Sequence, residues 1–158
     1  MEASVASSQG VTVTVNGVEY EREVEARKLL IHFVRDDLDL TGSHIGCDTG
    51  NCGACSVILD GTLVKSCMLL AVQADGASIE TVEGLAEEDE LTELQQAFSD
   101  HHALQCGYCT PGMLMSATAL LRANPRPNDD QIRMGIQGNI CRCTGYVNIV
   151  EAIKAAAE

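Results

Sequence analysis

Three cysteines lie within nine residues of one another in a glycine-rich segment, and a fourth follows after the next predicted strand: Cys47, Cys52, Cys55 and Cys67. Their spacing, C-x4-C-x2-C-x11-C, is typical of the four thiolate ligands of a 2Fe-2S cluster. A loop around a compact anionic cluster must bring backbone N–H groups close to sulfur, and we expect Gly46, Gly50 and Gly53 to allow the turns this needs. These four cysteines are called the first site.

The other four cysteines form two short motifs, each directly before a predicted helix: Cys106 and Cys109, then Cys141 and Cys143. Pro111 suits the start of one helix, where its missing N–H is not needed. Thr144 is a natural N-cap for the other. Antiparallel packing of these helices would place all four thiols at two helix N-termini, whose partial positive charge favours an anionic cluster. These four cysteines are called the second site.

Other metal and redox chemistries are considered for the same residues. Four thiolates also suit tetrahedral zinc, and spacing alone leaves this interpretation of the second site open. A redox dithiol at Cys106 and Cys109 is disfavoured, because that motif belongs in a βαβ context and these residues lie among predicted helices. Since eight cysteines fill two four-ligand sites, we expect the histidines to be structural or solvent-facing: His32, His44, His101 and His102.

The first half of the chain has the pattern of a small sheet with one helix. Residues 11–24 alternate apolar and polar side chains around Asn16-Gly17, which predicts a hairpin with a type I′ turn. Residues 26–38 change to helical spacing. A second hairpin turns at Asp60-Gly61, and a last strand is predicted at 78–82. This order predicts an α+β fold of the β-grasp kind.

The second half has the pattern of a helical bundle. Four segments carry one apolar stripe each, and Asn128 is a good start for the third of them. We therefore predict a flexible N-terminus at residues 1–9, a first 2Fe-2S domain at 10–84 and a helical-bundle 2Fe-2S domain at 85–158.

Composition excludes several classes of partner. The net charge of −13 and an aromatic content of 3% speak against binding to nucleic acid. The acidic, polar start of the chain is not a secretory signal, and no stretch reaches the length of a membrane span. A phosphate loop, a nucleophile elbow and an HExxH motif are absent from the sequence. We expect a cytoplasmic chain without a substrate site of its own.

Taken together, the two cysteine sets resemble one family, the small iron-sulfur subunits of molybdenum hydroxylases, which include xanthine dehydrogenase and aldehyde oxidoreductase. The matching stretches are residues 46–55, 105–113 and 138–146, and the resemblance extends over about residues 10–156. It implies an N-terminal plant-ferredoxin-like β-grasp domain followed by a C-terminal four-helix bundle, each with one 2Fe-2S cluster. It also disfavours zinc at the second site.

The resemblance further implies partners and roles for residues. A large subunit would bind molybdopterin and a medium subunit would bind FAD, in a dimer of heterotrimers. The second site would lie near the molybdopterin, approached by Gln105 and by Cys143, which is also a cluster ligand. The first site would lie nearer the flavin. Contact of the complex with the inner face of the membrane is left open.

Within the family, the lead-in at residues 40–47 and the stretch 102–106 look most like the small subunit of aerobic carbon monoxide dehydrogenase. The expected function is electron transfer from the molybdopterin centre through both clusters to FAD, with carbon monoxide as the favoured substrate of the whole enzyme. Aldehydes, purines and N-heterocycles stay open as substrates. A free-standing ferredoxin-like carrier and a structural zinc protein are the alternatives from other classes.

Overall fold

Five strands and one short helix occupy the first half of the computed structural model, which describes residues 7–86 and 90–157. The strands are β1 (Ser8–Val15), β2 (Val18–Glu25), β3 (Ser56–Leu59), β4 (Thr62–Lys65) and β5 (Ser78–Glu80). Because β1 begins at Ser8, residues 8 and 9 of the segment predicted to be flexible are paired in the sheet. Residues 1–6 of that segment lie outside the described part of the chain.

The strands form one mixed sheet in the order β2-β1-β5-β3-β4. The two predicted hairpins pair antiparallel, while β1 and β5 run parallel, with Thr14 opposite Ser78. Both turns have left-handed residues, with φ of 51° at Asn16 and 80° at Gly17 in the first. The type I′ turn is therefore confirmed, because that turn requires positive φ at both central residues.

The predicted helix at 26–38 is shorter than expected. It occupies α1 (Leu30–His32) and continues as a π-helical turn (Phe33–Asp37). The chain before it is extended because Leu29 forms a β-bridge with Leu70, and the Leu30 N–H donates to the Leu69 carbonyl at 2.8 Å. Tertiary pairing therefore overrides the helical periodicity at the start of the segment. Leu30, Phe33 and Val34 still pack on the sheet, as predicted.

Four helices lie in the described residues of the second half: α2 (Glu93–Asp100), α3 (Thr110–Ala123), α4 (Asp129–Ile136) and α5 (Val147–Ala155). Asn128 caps α4 as predicted, since its side chain accepts the Gln131 N–H at 2.9 Å. The prediction that Thr144 caps the last helix is wrong. The N-cap of α5 is Tyr146, in a left-handed conformation, and Thr144 makes a different contact described below.

Each half has its own apolar core, and α3 joins them. One core lies between the sheet and α1, and the other lies among α2–α5. Helix α3 packs against α4 on one side and against β3 and β4 on the other. The predicted α+β architecture, a β-grasp sheet followed by a four-helix bundle, is confirmed. Its two cysteine-bearing regions meet where α3 approaches β3.

Candidate iron-sulfur centres

Three cysteines of the first site lie in cysteine loop 1 (residues 46–55), between the π-helical turn and β3, and Cys67 lies in the turn after β4. Cys55 and Cys67 are buried, and Cys47 and Cys52 are half-buried. The Cys52 N–H donates to Cys47 Sγ at 3.3 Å. Gly46 approaches the same group of sulfurs closely, because a Cβ atom there would lie 2.9 Å from Cys52 Sγ. The backbone of loop 1 therefore lies close to these sulfurs, as we expected from its glycines.

The thiols of the first site differ in acidity. Backbone N–H groups of Cys52 and Thr49 lower the pKa of Cys47 to about 6. Burial, and then the neighbouring Cys55 thiol, raise the pKa of Cys67 to about 11. The contacts that cause these pKa shifts also show which sulfurs are neighbours: Cys47 lies beside Cys52, and Cys55 lies beside Cys67. The four thiols thus form two pairs in one region.

The second site joins cysteine loop 2 (residues 105–110) to cysteine loop 3 (residues 138–144). Cys143 Sγ lies 3.4 Å from Cys106 Sγ, and both cysteines are exposed. Cys109 and Cys141 form the second pair, and burial followed by the Cys141 thiol raises the pKa of Cys109 to about 12. The two motifs, far apart in sequence, therefore meet as predicted.

Thr144 acts on the second site and not on a helix end. Its hydroxyl donates to Cys141 Sγ at 3.1 Å and accepts the Tyr146 N–H at 3.1 Å. Burial works to raise the pKa of Cys141, but the Thr144 side-chain and backbone donors, together with the Cys143 backbone and the Cys109 thiol, outweigh it, so the pKa is lowered. Thr144 thus stabilises negative charge on this sulfur.

The pairing of thiols fits a binuclear cluster. A tetrahedral single-ion site needs four sulfurs at about 2.3 Å from one point. Two pairs in each site instead match two irons that take two thiolates each. The donor sets therefore fit 2Fe-2S clusters better than zinc.

The histidines have other roles in the structure. The His44 ring stacks on the Tyr108 ring, with centroids 4.5 Å apart, and its Nδ1 lies 2.8 Å from the Tyr108 carbonyl oxygen. His32 lies 3.3 Å from the Asp36 carboxylate. His101 follows α2 as its C-cap, and His102 has a left-handed φ of 52°.

Loops 1 and 3 are in direct contact, which the sequence did not indicate. The Ile140 N–H donates to the Cys52 carbonyl at 2.8 Å. The buried Asn139 side chain donates to the Gly53 carbonyl at 3.0 Å and accepts the Ser116 hydroxyl at 2.7 Å. These contacts therefore join the segments that carry cysteines of the two sites. No periodicity or motif marks Asn139, although its place two residues before Cys141 is a signal that could have drawn attention to it.

Further contacts between the two halves surround these loops. Tyr108, between two cysteines of the second site, donates its hydroxyl to the Ile45 carbonyl at 2.7 Å. Arg122 on α3 forms a two-bond ion pair with Glu80 on β5, at 2.7 Å and 2.8 Å. Gly112 of α3 lies against Gly53, and a Cβ atom on Gly112 would be 2.1 Å from the Gly53 carbonyl oxygen. The relative position of the sites is therefore held by several independent contacts.

The side of the second site that carries Cys106 and Cys143 faces outward. Gln105 is exposed beside Cys106. Several apolar side chains near these cysteines in the chain are also exposed, at 41% to 62% of their surface: Leu104, Tyr108, Ile140 and Val147. Single exposed apolar residues are ordinary, but several of them close in the chain to exposed cysteines are typical of an interaction surface.

No helix among the described residues has both the length and the apolar character that crossing a membrane requires.

Two family models match the chain, over stretches that overlap at residues 81–106. Residues 13–106 match the family described as 2Fe-2S iron-sulfur cluster binding domain, and residues 81–154 match the family described as 2Fe-2S binding domain. The caffeine dehydrogenase subunit gamma of Pseudomonas sp. (strain CBB1) is 52% identical over 96% of this chain and 92% of its own. The nicotine 6-hydroxylase small subunit of Paenarthrobacter nicotinovorans is 52% identical over 90% of this chain and 86% of its own.

Solved structures of related oxidoreductases are also similar to this chain. The structure of quinoline 2-oxidoreductase from Pseudomonas putida 86 matches with a TM-score of 0.93 and 47% identity, over 95% of this chain and 94% of that one. The aldehyde oxidoreductase from Desulfovibrio gigas matches with a TM-score of 0.90 and 43% identity, over 94% of this chain but 17% of that longer one. With two cysteine sites on this fold and relatives of this identity, the chain belongs to the family of small iron-sulfur subunits of molybdenum hydroxylases and has two 2Fe-2S binding domains.

Proposed function

We propose that this chain passes electrons from a molybdopterin-binding subunit to an FAD-binding subunit, by way of the second site and then the first. The observation that carries this proposal is the contact between loops 1 and 3, where the Ile140 N–H meets the Cys52 carbonyl at 2.8 Å. A bound 2Fe-2S cluster supplies reversible one-electron chemistry. The chain's own residues then bring two such sites close together.

Within this proposal each cysteine has a role. Cys47, Cys52, Cys55 and Cys67 ligate the first cluster, and Cys106, Cys109, Cys141 and Cys143 ligate the second. The division into a ferredoxin-like domain at 10–84 and a bundle domain at 85–158 is part of the same proposal.

The outward side of the second site is proposed to meet the molybdopterin-binding subunit. Cys106 and Cys143 are exposed there beside Gln105 and the four exposed apolar side chains named above. In this arrangement Gln105 and Cys143 contact the pterin, and the apolar rim excludes water from the contact. The FAD-binding subunit would lie nearer the first site, in a dimer of heterotrimers located in the cytoplasm.

For the substrate of the whole enzyme, we propose an N-heterocycle in place of carbon monoxide. The similar proteins reported above are named for caffeine, nicotine and quinoline. Likeness of residues 40–47 and 102–106 to carbon monoxide dehydrogenase is a weaker support, because cluster loops are alike across the family. Substrate selection belongs to the large subunit, so it is tested on the complete enzyme.

Copurification and spectroscopy test the electron-transfer role. The chain is expressed with the genes for its candidate partners, purified, and reduced first with dithionite and then, separately, with a heterocycle or with carbon monoxide. We expect the chain to elute with two larger subunits and to show two distinct electron paramagnetic resonance signals. A chain that elutes alone would indicate a diffusing carrier, and zinc without either signal would overturn the proposal.

A further inference from the structure

Lys65 extends from the end of β4 to the loop that holds the first site. It lies opposite Ser56 in the β3–β4 pair and two residues before Cys67. Its Nζ donates to the Gly50 carbonyl at 2.6 Å and lies 3.4 Å from the Asn51 carbonyl oxygen. On the other side, Nζ is 3.8 Å from where a Cβ of Gly138 would be. The ammonium group is thus placed between loop 1 and loop 3.

The charge of Lys65 is not neutralised by a neighbouring carboxylate. Among the described residues its polar partners are backbone carbonyls, whereas Lys28 in the same half of the chain binds the Asp37 carboxylate at 2.7 Å. Carbonyl partners orient an ammonium group but leave its net charge in place. In a chain of net charge −13, Lys65 therefore supplies a local positive potential beside loop 1.

The contact with Gly50 also affects the shape of loop 1. Gly50 has a left-handed φ of 71°. Burial raises the pKa of the Cys67 thiol, and the Gly50 backbone N–H works against that rise, so Gly50 lies near this sulfur. Because Lys65 binds the Gly50 carbonyl, it restrains the backbone at this residue. The side chain therefore combines a fixed charge with an anchor for the loop.

We propose that Lys65 is a positioning residue of the first site, which anchors loop 1 and raises the reduction potential of the cluster bound there. Reduction adds one negative charge to an anionic cluster, and a half-buried cation nearby stabilises the more negative state. An electron arriving from the second site is then held more favourably at the first. The inference depends on the proposed ligand role of Cys47, Cys52, Cys55 and Cys67.

Three substitutions separate charge from anchoring, and a fourth is a control. Lys65→Met removes both, Lys65→Gln keeps an N–H donor for Gly50 without the charge, and Lys65→Arg keeps the charge. Lys28→Met makes the same change in net charge at a lysine that is paired with a carboxylate. All are made in the purified multi-subunit enzyme, where iron content and the midpoint potential of each paramagnetic signal are measured.

We expect Lys65→Met and Lys65→Gln to shift the reduction equilibrium of the first site about tenfold toward the oxidised form, which is about 59 mV for one electron. The second site should change less than threefold, as should both sites in Lys65→Arg and Lys28→Met. If Lys65→Met loses iron, Lys65→Gln decides the charge effect. An unchanged potential in Lys65→Gln with full iron would overturn the inference, as would equal shifts in both sites. A wild-type enzyme without the first signal would overturn the ligand assignment as well.

Discussion

The two cysteine sites solve the same chemical problem in different ways. The first is built within one half of the chain, from a loop whose backbone N–H groups surround the sulfurs, with Cys67 supplied by the turn after β4. The second is assembled from two loops ahead of α3 and α5, and two of its cysteines stay exposed. The geometry of a site that lies mostly in one loop is set by the local backbone. The geometry of a site made of two distant segments is set by the packing between those segments.

The largest expected effect comes from removing one proposed ligand in each site, the buried Cys55 in the first and the half-buried Cys109 in the second. Cys55→Ala should abolish the first paramagnetic signal and Cys109→Ala the second, each lowering the iron content from about four to about two per chain. Each variant is the control for the other, and spin counting with iron analysis is the measurement. Loss of both signals in either variant would contradict the independence of the two sites.

Gly112→Ala should force the two halves apart. Its Cβ would lie 2.1 Å from the Gly53 carbonyl oxygen and 3.0 Å from Ala54 Cα, and these backbone atoms have little freedom to move. We expect a loss of about 3 kcal/mol in the free energy of unfolding, measured by denaturant titration. Gly138→Ala is the matched control, because its Cβ meets only Lys65 at ordinary contact distance. Equal stability of the two variants would show that the close contact does not matter.

Asn139→Ala should weaken the contact between loops 1 and 3 without a clash. It leaves the buried Ser116 hydroxyl without its partner and removes one donor from the Gly53 carbonyl, which still accepts hydrogen bonds from Ser56, at a cost of about 1–3 kcal/mol in unfolding free energy. Magnetic coupling between the two reduced clusters should also change. Asn124→Ala is the control, since that amide bonds Gln131 in an exposed position. A variant as stable as this control would refute the bracing role of Asn139.

The smallest effect is expected from Thr144→Val, which removes the hydroxyl that donates to Cys141 Sγ at 3.1 Å. A hydrogen bond to sulfur favours the reduced, more negative cluster, so its loss should lower the potential of the second site. About 1 kcal/mol corresponds to about 40 mV for one electron. Potentiometric titration should show no change in the first site, and Thr144→Ser should restore the wild-type value. A shift in the first site instead would place the hydroxyl's influence elsewhere.

Local patterns predicted the parts of the fold that depend on neighbours in sequence. Asn16-Gly17 and Asp60-Gly61 adopt the left-handed conformations that their hairpins require. Asn128 caps α4, because an N-cap is a contact over three residues. The apolar stripes of the second half predicted four helices, and four helices are present there in the described residues. In each case the deciding interaction lies within one turn or one strand pair.

Local patterns were wrong where a distant segment competes. Residues 26–38 have helical spacing, but the bridge from Leu29 to Leu70 keeps Leu29 extended, so the helix begins only at Leu30. Thr144 is a residue type that often forms an N-cap, but its hydroxyl instead donates to Cys141 Sγ and accepts the Tyr146 N–H. A hydroxyl forms hydrogen bonds with the partners that the tertiary structure places near it, and the capping propensity of a residue type does not predict those partners.

The number and spacing of the eight cysteines were enough to divide them into two sets and to indicate 2Fe-2S clusters, because short-range spacing is set by covalent geometry. The position of one set relative to the other depends instead on tertiary packing. The contacts of Cys52 with Ile140, of Gly53 with Asn139 and of Lys65 with Gly50 each join segments at least fifteen residues apart. Contacts of this range depend on how the sheet and the bundle pack, and no local pattern records that packing.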